Sequence, residues 1–199
     1  MLSMQSNMNE KVNPDWLAEN FAWYRAIWVE SAELLDHHGW KWWKKQQPDI
    51  EQIKLELVDI WHFGLSLMLQ LSGNTEELVE DISQKLMLIP QKSTHFLDNV
   101  EKFAANTLTS KSFSIRDFHQ LLVDMDMDFN ELYSKYVGKN VLNFFRQDHG
   151  YQDGTYIKVW HGKEDNECLV EVIAKLDSEH KDFKAHIYNG LKTRYDALI

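Results

Sequence analysis

Glu30-Ser31-Ala32-Glu33, the connector Gly39-Trp40-Lys41-Trp42-Trp43-Lys44-Lys45, and Glu56-Leu57-Val58-Asp59 follow one another in this chain. Residues at i and i+3 share one face of a helix, so each acidic pair presents two carboxylates side by side. Antiparallel packing of the two helices would bring four carboxylates to one point. Anions held that close repel unless a cation lies among them.

The flanks of this stretch decide the fold. Trp23, Ile27 and Leu34 fall at i, i+4 and i+11 of a core-facing stripe. Glu30 takes the i+7 place and Glu33 lies at the stripe's edge. From Ile53 to Leu71 the sequence is apolar nearly all round, through Leu55, Trp61 and Leu69, which marks a buried helix. Glu56 and Asp59 are embedded in it. A lone ionised carboxylate in such surroundings would rather neutralise, and few basic residues lie near enough in sequence to pair with all four. Hard divalent cations with oxygen ligands, Mg²⁺ above all, are the natural partner. The same spacing also occurs on solvated helix faces, so the pattern alone leaves both readings open.

Composition narrows the class. A length of 199 residues suits one domain, 1–199, and 44% hydrophobic residues can fill its core. Only 8 Gly and 3 Pro argue against a turn-rich β architecture. The net charge of −10 disfavours direct binding of nucleic acid or an anionic membrane. A small phosphorylated substrate stays compatible, because a bound metal reverses the local sign. The single Cys168 supplies neither a disulfide framework nor a zinc cluster. There is no apolar run long enough to span a bilayer, and the first residues are unlike a signal peptide. A cytoplasmic protein is the expectation.

Helical periods run nearly throughout, which predicts an all-α, compact helical bundle with the two long carboxylate-bearing helices at its core. Residues 1–12 form a short arm, read as a frayed end or the start of a helix. Asn13-Pro14-Asp15 has the chemistry of a helix start, and the helix should reach His38 and stop at Gly39. The connector occupies 39–48. Pro48-Asp49 opens the second helix, to Ser72-Gly73. Asn74-Thr75-Glu76-Glu77 resembles a cap for a shorter helix to Leu88, and Thr94 to Asn106 is also helical. Ser114 opens a long helix whose rhythm through Phe118, Met125, Phe129 and Leu132 continues to Gly150. Residues 151–164 read as an ordered irregular loop. Asp165 or Asn166 caps a helix to Leu176, and a last helix starts at Asp182. His37 and His38 suit the negative end of the first helix dipole. His62, one turn after Asp59, reads as a packing or supporting group rather than a ligand, since Mg²⁺ prefers oxygen. Met125 and Met127 read as core.

A second polar constellation lies further on. Tyr136, Lys139, Asn143 and Arg146 share one face at i, i+3, i+7 and i+10, with Asn140 adjacent. Tyr151, Lys158, Lys163 and Asn166 follow. Lys and Arg hold phosphate oxygens, Arg in bidentate fashion. An Asn amide both donates and accepts, which suits a pyrimidine edge. A wet, charged helix face is the competing reading.

These residues together resemble the dimeric, all-α dUTP diphosphatases of the all-α nucleotide pyrophosphatase superfamily. The matching segments are Glu30 to Asp36 with Trp40 to Lys44, Glu56 to Phe63, and Gly138 to Gln147. The third runs into Gly150 to Tyr156, Lys158 and Gly162 to Asn166. The carboxylate motif is common to the superfamily, whereas Lys-Asn-x-x-Asn-x-x-Arg with its loop belongs to the dUTP branch. The resemblance implies that Glu30, Glu33, Glu56 and Asp59 ligate Mg²⁺, with more than one ion and with Mn²⁺ as a substitute. It implies that Gln5 and Asn143 read the uracil edge and that Trp43 closes over the nucleotide. Tyr133, Lys139, Arg146, Tyr151, Lys158 and Asn166 would hold deoxyribose and phosphates, some across a homodimer. The implied reaction is hydrolysis of dUTP to dUMP and pyrophosphate, and of dUDP, with Glu33 and Glu30 as the catalytic carboxylates. Such an enzyme limits uracil incorporation into DNA. A related pyrophosphatase for dCTP or a noncanonical nucleotide, or an inactive helical interaction protein, are the alternatives.

Overall fold

The computed structural model describes residues 1–72 and 75–198. Among them are nine α-helices and one two-stranded ladder, so the all-α expectation holds. The chain divides into two compact units, residues 2–132 and residues 133–199 together with Met1.

The first unit is built on the carboxylate helices, α2 (Trp23–His38) and α3 (Ile50–Ser72). Ile53, Leu57, Val58, Ile60 and Trp61 of α3 are fully buried, as the all-round apolar sequence required. Trp61 stacks on Phe118 with ring centres 5.1 Å apart. Gly64 lets α3 approach the Phe113 ring, since a Cβ there would lie 2.5 Å from a ring carbon. Gly39 ends α2 at φ +83°, its N–H donating to the Leu35 carbonyl. Asp49 starts α3, its Oδ1 accepting from the Gln52 N–H at 3.2 Å. The arm is a true helix, α1 (Leu2–Val12), which packs against α3. The cap read at Asn74 lies outside the described residues. After it come α4 (Thr75–Met87) and α5 (Phe96–Ser110).

Two helix expectations are corrected. Asn13-Pro14 does not open α2, which starts ten residues later, at Trp23. The Asn13 side chain accepts from the Asp15 N–H at 2.9 Å, and short-range turns follow up to Asn20, whose φ of +50° is left-handed. A left-handed residue cannot continue a right-handed helix. The helix predicted from Ser114 to Gly150 is two helices, α6 (Ile115–Asp124) and α7 (Phe129–Asp148). Ser114 does cap α6, accepting from the Asp117 N–H. Asp126 at φ +50° breaks the run, and Asp128 restarts it by accepting from the Glu131 N–H at 2.8 Å.

The second unit is centred on an aromatic cluster. Phe145 and Trp160 are fully buried, and Tyr156 stacks on Tyr195 at 5.4 Å. The predicted irregular loop contains a small antiparallel hairpin, β1 (Val159–Trp160) with β2 (Lys163–Glu164). His161 and Gly162 both have positive φ, the two-residue turn that matches strand twist. Helix α8 (Asp165–Ile173) is preceded by Glu164 as its cap, so Asp165 is the first helical residue rather than the cap. The Glu164 N–H donates to Glu167 at 2.8 Å. The chain ends in α9 (Phe183–Asp196).

Candidate functional site

The first cluster stands on α2 and α3. Glu30, Glu33 and Glu56 each offer one oxygen, and the three oxygens lie within 4.8 Å of one another. Glu33 is exposed, Glu30 half-buried and Glu56 buried. The i, i+3 register of α2 puts the first two on one face, and helix packing brings Glu56 to them. An all-oxygen donor set graded from buried to open fits a hard divalent cation. Asp59, half-buried, lies outside this group of three. His37 approaches the cluster, its Nε2 3.5 Å from Glu56 Oε1. Both His37 and His38 stand in the last turn of α2. Burial holds the His38 imidazole below the usual value, so it favours the neutral form.

Gln5 is buried in α1 rather than displayed on a loose arm. Its Nε2 donates to Asn9 Oδ1 at 2.9 Å and to Ser66 Oγ at 3.0 Å, and its Oε1 lies 2.7 Å from His62 Nδ1. His62 is buried in this amide and hydroxyl network, not among the three carboxylates. The connector carries Trp40, Trp42 and Trp43 edge to face, with ring centres 5.3 and 5.6 Å apart. Trp42 is 89% exposed and Trp43 59%. Asp36 ties the connector to α2, accepting from Lys41 Nζ at 2.7 Å and Trp40 Nε1 at 3.0 Å.

The second cluster stands on α7 and the start of α8. Lys139 Nζ donates to Asn166 Oδ1 at 2.9 Å, and Arg146 NH2 reaches the same oxygen at 3.3 Å. Arg146 NH1 donates to Asn143 Oδ1 at 3.3 Å. Tyr151 lies against the guanidinium, 5.6 Å from ring centre to Cζ. Lys139, Asn143, Arg146, Tyr151 and Asn166 are thus brought together. Lys158 is exposed and pairs with Glu164 at 3.2 Å. Tyr133 stands exposed near the start of α7. Tyr136, placed on the same face from sequence, is instead buried, its hydroxyl donating to the Met1 carbonyl at 3.1 Å.

Asp165 is the member that sequence reading missed, because Asp before a helical run reads as a cap. It is fully buried and accepts two 2.8 Å hydrogen bonds from Arg146. Tyr156 donates a third, also at 2.8 Å. Burial alone would raise the Asp165 carboxyl. The hydrogen bond and charge of Arg146, then the Tyr156 hydroxyl, outweigh it and hold the group below its ordinary value. Tyr156 is driven the other way, first by burial and then by the Asp165 charge.

Among the described residues no helix is long and apolar enough to cross a membrane. Residues 1–151 match the family model described as dUTPase. No curated protein matches the chain. The match covers most of the chain, which therefore belongs to the all-α dUTPase family, the enzymes that hydrolyse dUTP.

Proposed function

We propose that this dUTPase hydrolyses dUTP, and also dUDP, in a Mg²⁺-dependent reaction. The triphosphate would yield dUMP and pyrophosphate, and the diphosphate dUMP and phosphate. The observation that carries the proposal is the convergence of Glu30, Glu33 and Glu56 in a chain of this family. In this reading these three and Asp59 would hold the metal, as more than one ion and with Mn²⁺ as a substitute. A divalent cation there supplies Lewis-acid polarisation and lowers the pKa of the attacking water.

The protein's own groups do the rest. Glu33, the open carboxylate of the three, orients the water and accepts its proton, and Glu30 supports it from the adjacent turn. Lys139, Arg146 and Lys158 hold phosphate oxygens and offset the charge that moves onto the leaving group. Tyr133, Tyr151 and Asn166 line the sugar and phosphates. Asn143 and Gln5 read the uracil edge, and rejection of cytosine follows from leaving a buried amide wrongly paired. Trp43, already exposed, closes over the nucleotide. The 1–199 chain acts as one catalytic domain within a cytoplasmic homodimer, and its activity limits uracil incorporation into DNA.

The test is product release from dUTP, dUDP, dCTP, dTTP and UTP, with Mg²⁺ and with EDTA. Mg²⁺-dependent turnover of dUTP and dUDP, with dCTP and dTTP poor, is the expected result. Equal turnover of dCTP would discard the uracil assignments, and undiminished activity in EDTA would discard the metal.

A further inference from the structure

Asp165 is completely buried, yet the Arg146 side chain it grips keeps 12% of its surface open. The anion of the pair is thus the more deeply buried partner. The grip is bidentate, Nε to Oδ2 and NH2 to Oδ1, each at 2.8 Å. Such a fork fixes the plane of the guanidinium as well as its place. The Tyr156 hydroxyl, donating to Oδ2 at 2.8 Å, holds the carboxylate in turn. A buried ion pair is often no more stabilising than apolar packing of the same volume, so stability alone is a weak account of it. The next residue, Asn166, accepts from both Lys139 and Arg146. Two cations from different turns of α7 thus converge on one oxygen. Like charges gathered in this way repel, and the Asp165 carboxylate counters that repulsion.

We infer that Asp165 is a positioning residue that acts through Arg146. It fixes the guanidinium charge in the orientation in which a phosphate of the nucleotide meets it. An unheld arginine would lose rotamer freedom on binding, and the fork removes that loss in advance. Asp165 lies beyond residues 1–151 that the family model covers. The inference rests on the proposed dUTP reaction for its ligand.

The experiment is calorimetric titration of a non-hydrolysable α,β-imido dUTP analogue with Mg²⁺. The proteins are wild type, Asp165→Asn, Arg146→Gln and the double variant, with thermal unfolding followed alongside. Asp165→Asn should weaken binding on the order of tenfold. In the Arg146→Gln background the same change should add nothing, because its route is gone. Unchanged affinity in Asp165→Asn, or an equal loss in both backgrounds, overturns the inference. A purely structural role would lower the unfolding temperature without this non-additivity. Tyr156→Phe is the second variant, for the case in which Asp165→Asn does not fold. It removes one hydrogen bond to the carboxylate and keeps the charge pair. A weakening of roughly twofold to threefold, absent in the Arg146→Gln background, is expected, and no weakening overturns the inference. A wild type that binds no analogue sinks the functional reading itself. A binding wild type with an indifferent Asp165→Asn sinks only the role of Asp165.

Discussion

Glu56→Gln removes one charge from three carboxylates and keeps size, while it replaces one acceptor oxygen by an NH2 donor. Glu56 is buried, and its oxygen lies within 4.8 Å of those of Glu30 and Glu33. At an effective dielectric constant of about 20, one such pair repels by roughly 3.5 kcal/mol. The exposed Glu33 is nearer the water limit, where the same pair repels by about 1 kcal/mol. Against this relief stand the loss of the His37 contact at 3.5 Å and the need to pair a buried amide. A net gain of about 1–2 kcal/mol remains, which raises the unfolding temperature by roughly 2–8 °C in a chain of this size. The assay is thermal unfolding in EDTA and in excess Mg²⁺. At about a hundred times its dissociation constant, Mg²⁺ should stabilise the wild type by about 2.7 kcal/mol. The Glu56→Gln protein should be more stable than wild type in EDTA and nearly insensitive to Mg²⁺. A variant that is less stable in EDTA and keeps the full Mg²⁺ shift would refute the reasoning, because neither repulsion nor ligation would then involve Glu56.

Gly64→Ala puts a Cβ 2.5 Å from the Phe113 ring. Overpacking of about 1–3 kcal/mol should exceed the helix gain of about 1 kcal/mol, so the unfolding temperature should fall; a rise would show that the ring yields freely. Stability should also fall as pH drops below about 6.5, because burial lowers the His38 and His119 values and the unfolded chain then binds more protons. The Asp165 contribution is present above the ordinary carboxylate value and is lost as pH falls through its lower folded value. Denaturant midpoints between about pH 2 and pH 8 test both, and greater stability on the acid side would contradict them. Glu33→Gln should reduce kcat far more than it changes KM; unchanged turnover would take Glu33 out of the mechanism.

Local hydrogen bonds account for most of the differences between expectation and structure. Asn13-Pro14 carries helix-start chemistry, but the Asn13 side chain serves a tight turn through Asp15. Asn chemistry suits both, and the left-handed Asn20 that follows keeps the turn from running on into α2. The break between α6 and α7 carries no Gly or Pro. An apolar rhythm crosses it, and the left-handed turn falls on Asp126. The His161-Gly162 turn, by contrast, is a local feature set by two consecutive residues of positive φ.

What the sequence determined by itself is what depends on neighbours a few residues away. Helical period, the stop at Gly39, the start at Asp49 and the pairing of Glu30 with Glu33 all follow from spacing along one helix. Tertiary structure decided which distant groups meet. It brought Glu56 to the α2 pair and left Asp59 outside that group. It buried Gln5 against Ser66 and His62. It turned Asp165 from an apparent cap into the counter-charge of Arg146, 19 residues away in sequence. Spacing records the direction of a side chain on its own helix, whereas the choice of partner across the fold depends on how the helices pack.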